Sequence, residues 1–149
     1  GRLYVAVDNL IIYSDPSNYN HYDDRSDKSF YQFSQKLTMM RSVSDGIWVS
    51  DGNIIIFLSG NSPDKMTRNV IAGYGAISGT SVKIKGKFVN GVFYDNAVMF
   101  RSDNGICIGG NGGKFINLTE DRLILSAASI GAGLAITEGE IDKYICITD

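Results

Sequence analysis

Short apolar runs broken by Asp-Gly and Asn-Gly turns constrain this chain more than anything else in its sequence. Residues 47–50 and 53–58 flank Asp51-Gly52. Such a pair between apolar runs is a strong hairpin signal, because a type I′ turn needs positive φ at both central residues. Residues 3–7 and 10–13 flank Asp8-Asn9 in the same way. A third hairpin joins 97–101 to 106–108 through Ser102-Asp103-Asn104-Gly105, and the run Gly109 to Gly113 then leads into a return strand at 114–118. A fourth joins 133–137 to 143–147 around Glu138-Gly139-Glu140. Helical periodicity is nearly absent. The best helix candidate, 126–130, is too short to stand alone. The expected class is all-β, built from repeated antiparallel hairpins.

The hairpins align with one another. Leu3-Tyr4-Val5, Ile47-Trp48-Val49, Ile106-Cys107-Ile108 and Tyr144-Ile145-Cys146 take the same slot, at spacings of about 44, 59 and 38 residues. Periods of that size suggest four-stranded propeller blades, here over 1–35, 36–79, 80–125 and a partial 126–149. The long interval holds 80–90 with its own Asn90-Gly91 turn, and reads as an inserted hairpin. Inner strands buried on both faces should read as continuous apolar runs, as Val5-Ala6-Val7 and 54–58 do. Fewer than four full blades cannot close a common propeller, so the expectation is one all-β region over 1–149 and a piece of a longer, partial β-propeller. A β-sandwich is the alternative, since regular strand spacing does not separate the two.

Composition excludes several function classes. The formal net charge is −2, and the basic residues are scattered, unlike the basic stripe of a nucleic-acid reader. Lys83, Lys85 and Lys87 alternate with apolar neighbours and read as the wet face of one strand. No run approaches the roughly 18 apolar residues needed to span a bilayer, so no membrane partner is expected. The chain opens with Gly1 inside a strand pattern, which suggests a processed or truncated piece.

Chemistry-bearing residues are few. Cys107 and Cys146 each sit in an apolar run and read as buried free thiols. A disulfide between them stays open at this point, and zinc lacks a four-ligand set. His21 is the single histidine, so no Ser/His/Asp or Cys/His arrangement is suggested. Asp15, Asp23, Asp24 and Asp27 do not match the spacing of a calcium loop. The glycine run at 109–113 lacks the Gly-Lys-Ser/Thr ending of a phosphate loop and reads as a turn. Trp48, between Ile47 and Val49, reads as a packed indole. No catalytic residue, cofactor or metal is expected. The one candidate interaction loop is polar and aromatic: Tyr19, His21, Tyr22, Asp23, Asp24 and Arg25.

Several segments carry a resemblance. They are 1–7, 12–16, 45–49, 73–80 and 104–120, the last reading Asn104-Gly105-Ile106-Cys107-Ile108-Gly109-Gly110-Asn111-Gly112-Gly113-Lys114-Phe115-Ile116-Asn117-Leu118-Thr119-Glu120. They resemble segments of bacteriophage and prophage virion structural proteins. The 102–105 turn is similar to the Asp-box turn of sialidase-like propellers, a rim feature that does not carry sialidase activity. The resemblance implies a non-enzymatic component of a phage particle, in the tail (hub- or nozzle-like) or at the head–tail junction, assembled in the host cytoplasm. Its partners would be other virion proteins or copies of itself. The alternative function is a carbohydrate- or receptor-binding module, motivated by the aromatic loop.

Overall fold

A computed structural model describes residues 1–22, 30–60, 62–89, 91–120, 122–138 and 141–149. Among them the strands are β1 (Tyr4–Val7), β2 (Leu10–Tyr13), β3 (Phe30–Gln32), β4 (Met39–Val43), β5 (Gly46–Ser50), β6 (Ile55–Ser59), β7 (Thr67–Ala72), β8 (Val82–Val89), β9 (Val92–Ser102), β10 (Gly105–Gly109), β11 (Phe115–Asn117), β12 (Gly131–Glu138) and β13 (Ile141–Thr148). Two short 3₁₀ turns occur, at Pro63–Lys65 and Asn111–Gly113, and no α-helix is present among the described residues. The chain is all-β.

The strands form four antiparallel sheets, none of them closed. The first is β1-β2-β3, the second β4-β5-β6-β7, the third β8-β9-β10-β11 and the fourth β12-β13. Neighbours in sequence are neighbours in each sheet.

The first three sheets stack face to face in chain order. Along β5, Ile47 and Val49 face one way and Trp48 the other, because side chains alternate across a strand. Ile47 and Val49, with Ile56 and Leu58 of β6, pack on Ile11 and Phe33. Trp48, with Ile55 and Phe57, packs on Val98, Phe100 and Cys107 of the third sheet. The run at 55–58 is continuously apolar because both its faces are covered. A further cluster in the third sheet gathers Ile84, Tyr94, Ala97 and Ile108. Toward the fourth sheet, Tyr144 Oη donates to the Thr80 carbonyl at 2.7 Å. The buried Arg101 donates to Thr148 Oγ1 and to the Ser126 carbonyl, a second tie between these sheets.

The two end sheets have one neighbour each. Register puts Val5 opposite Ile12, Ile12 opposite Phe30, and Val7 opposite Leu10, all on the face away from Ile11. Val5, Val7 and Phe30 are exposed there. In the fourth sheet, Leu134 pairs with Ile145 and Ala132 with Ile147, on the face away from Tyr144. Ile147 is 72% exposed and Leu134 55%.

Several sequence-based expectations need correction. Val5-Ala6-Val7 is not doubly buried, because the first sheet ends the stack. The four aligned copies do not share a slot: β1 is first in its sheet, β5 second, β10 third, and β13 second of two. The 80–90 region is not an insertion. Its strand β8 pairs with β9 and opens the third sheet. Residues 126–128 carry no regular structure, so no helix forms at 126–130. The Asp51-Gly52 turn is not type I′. Only Gly52 takes positive φ, at 86°, and Asp51 Oδ1 accepts from the backbone N–H groups of Asn53 and Ile54. The aspartate side chain does the work that a second left-handed residue would do in a two-residue turn.

Candidate functional site

The loop singled out from sequence follows β2. Tyr19 is exposed, Tyr22 is half-buried, and Asp23, Asp24 and Arg25 lie outside the described residues, as does Asp27. His21 Nδ1 meets Asp15 Oδ2 at 2.6 Å, and the His21 carbonyl accepts from the Asp15 N–H at 3.0 Å. Both side chains sit at the surface, so the pair fastens the loop ends without a desolvated, catalytic environment. Sequence gave both residues but not their pairing. Among the described residues no three His, Cys, Asp or Glu side chains gather as a metal site.

The aromatic residues divide between two faces. Phe30 points outward, whereas Tyr31 turns toward the second sheet and donates to the Pro63 carbonyl. Tyr13 lies between Tyr4 and Tyr31, with ring centroids 5.9 and 5.7 Å away, and Arg2 sits over the Tyr13 ring at 5.6 Å. Burial first, then the neighbouring Tyr13, Tyr4 and Asp64, push the Tyr31 phenol up to about 12. These three tyrosines are packing groups, held neutral.

The thiols are not activated. Cys107 is fully buried and free, with Ser102 Oγ 3.4 Å from its sulfur. Burial pushes its thiol up to about 11, so it carries almost no thiolate at neutral pH. Cys146 is free and half-buried, so the two cysteines form no disulfide. Trp48 is fully buried, which excludes it as a sugar platform.

The largest described cleft, about 540 Å³, was not visible in sequence. It lies between the N-terminal residues, the β4–β5 hairpin and β8. Leu3, Tyr4, Met40, Val43, Ile47 and Met66 give it apolar walls, and Arg2, Arg41 and Lys83 are its charged residues. Arg2 Nη1 donates to the Ser14 carbonyl at 2.8 Å. Arg41 donates to Ser81 twice, through Nε to Oγ and through Nη2 to the carbonyl, each at 2.9 Å. A second cleft of about 410 Å³ opens between β8 and the fourth sheet. Lys87 closes part of it by donating to Asp142 Oδ1 at 2.5 Å and to Thr137 Oγ1 at 3.1 Å. Lys83 and Lys85 are exposed, as the alternating pattern of β8 requires.

No family model, no curated protein and no solved structure matches the chain.

Proposed function

We propose that this chain is a non-enzymatic structural segment of a larger assembly: a partial β-propeller within a phage particle, in its tail or at the head–tail junction. The observation that carries the reading is the pair of uncovered apolar faces at opposite ends of one stack. Among the described residues the face bearing Val5, Val7, Leu10, Ile12 and Phe30 has no charged residue, and the face bearing Ala132, Leu134, Ile145 and Ile147 is aliphatic over that half, with Lys143 and Glu138 farther along it. Contiguous apolar surface of this kind marks a contact that the full assembly covers. The same kind of face is buried twice inside the stack, where the second sheet packs against the first and against the third. Further sheets set on the two ends would extend the arc toward the closed ring of a propeller, which removes open faces and most edges. A two-layer sandwich fits less well, because the sheets number four and the second is covered on both sides.

The virion assignment rests on the sequence resemblance. Mass spectrometry of purified particles, followed by electron microscopy, tests it. The expected result is the chain at stoichiometric level in the particle, with β-sheets against both end faces. Absence from purified particles sinks the virion reading, and a map with either end face in water sinks the propeller reading.

A further inference from the structure

The largest described cleft reverses the charge balance of the chain. The whole sequence carries 14 Lys and Arg against 16 Asp and Glu. Among the described residues the cleft lining holds Arg2, Arg41 and Lys83 and no carboxylate. Asp64, whose charge reaches Tyr4, Tyr13 and Tyr31, is not part of the lining.

The two arginines are fixed without being neutralised. Arg2 is held by a backbone carbonyl and by the Tyr13 ring face. Arg41 is held by the Ser81 hydroxyl and carbonyl, and its Nη1 has no partner among the described residues. Neither guanidinium meets a carboxylate at ion-pair distance among the described residues, and neither does Lys83. An arginine braced by neutral acceptors keeps its full charge and the rest of its planar donor fork, the geometry that suits an oxyanion.

Edge protection explains only part of this. β1, β4 and β8 are each an edge strand of their sheet, and lysines on an edge discourage pairing with another chain. That accounts for Lys85, which projects freely. It does not account for two braced arginines and a lysine lining one concave space. A cleft of this size falls in the range of about 300–1,000 Å³ that small organic ligands occupy.

We infer that this cleft is a binding site for a small organic oxyanion, a carboxylate, sulfate or phosphate group carried on an apolar body. Arg41 and Lys83 hold the oxyanion beside Val43 on the third-sheet side of β4, Arg2 adds to the field, and Met40 and Ile47, around the open β4 edge on the first-sheet side, receive the apolar part. The inference is independent of the virion reading.

Backbone and arginine side-chain NMR titrations of the full chain test it. The probes are phenyl phosphate, phenyl sulfate and benzoate, with benzyl alcohol as the neutral arm. The expected result is saturable binding of at least one aryl oxyanion, with shifts centred on residues 40–44 and 83. Arg41→Gln and Lys83→Gln should each weaken it by about tenfold, the loss expected of one charge-assisted hydrogen bond. Lys114→Gln, an exposed lysine outside the cleft, should leave it unchanged. Comparing the three aryl anions tells which oxyanion the site prefers. The inference is overturned by absence of saturable binding, by equal binding of benzyl alcohol, or by equal losses in Lys83→Gln and Lys114→Gln. Lys83 is exposed and without a partner among the described residues, so its variant keeps the test open if Arg41→Gln disturbs folding.

Discussion

The Trp48 indole donates its Nε1 hydrogen to the Gly110 carbonyl at 3.0 Å, across the boundary between the second and third sheets. The same ring lies against the bare Cα of Gly109, where an added Cβ would come within 2.5 Å of Cε2. The glycine turn is therefore a seat for the indole. Gly109→Ala should destabilise the chain by about 1–3 kcal/mol, the usual cost of overpacking a filled core. Urea unfolding read by the fluorescence of the single tryptophan measures this. A variant as stable as the parent would show that the ring is not held there.

Thr80 carries a comparable junction through one hydroxyl. Its Oγ1 donates to the Ile77 carbonyl at 2.8 Å and accepts from the Arg101 N–H at 3.1 Å, fully buried. Thr80→Val keeps the shape and removes both bonds. The Arg101 N–H is then stranded, at a cost of about 1–3 kcal/mol. Thr80→Ser, which keeps the hydroxyl, should lose less in the same urea titration.

The two thiols should separate cleanly in reactivity. Iodoacetamide at pH 8 should alkylate half-buried Cys146 first, and Cys107 only as fast as the chain opens. Peptide mapping over a time course reads both rates. Equal rates would contradict the packing of Cys107 against Ser102.

Stability should fall on the alkaline side. Burial raises Cys107 to about 11 and Tyr31 to about 12 in the folded chain, and it raises Tyr144 as well. The folded chain then keeps protons that the unfolded chain gives up from about pH 8.5 for thiols and about 10 for phenols. This contribution is whole below those values and is lost as pH climbs toward the folded ones. Urea midpoints should therefore be flat from pH 7 to 8 and decline above about pH 9. Cys107→Ala should make the first part of the decline shallower.

The end faces give a prediction about association. Val7 and Ile147 are 50% and 72% exposed and support little of the isolated fold. Replacing both with Glu should change unfolding free energy by less than about 0.5 kcal/mol per site while reducing self-association. Light scattering after size exclusion measures the second effect. Unchanged association would place the sticky surface elsewhere.

The local backbone code was legible in the sequence. The alternation of Lys83, Ile84 and Lys85, the apolar run at 55–58 and the turns at 51–52 and 102–105 place strands and reversals, because each depends on residues a few positions apart. Burial of Trp48 followed from the same short-range pattern, since both of its neighbours are apolar. The order of the strands within each sheet did not follow. Leu3-Tyr4-Val5 and Ile47-Trp48-Val49 look alike, yet one lies in an open end sheet and the other in a doubly covered one. That difference depends on which sheet lies next to it, not on the segment itself. The cleft is the same case: Arg2, Arg41 and Lys83 are isolated in sequence, and only the stacking of edge strands from three sheets sets them along one cleft. Sequence alone determined which residues turn and which extend, because those are energies of the local chain. Tertiary structure decided which faces are covered and which charges meet, because those are energies between segments that only folding brings into contact.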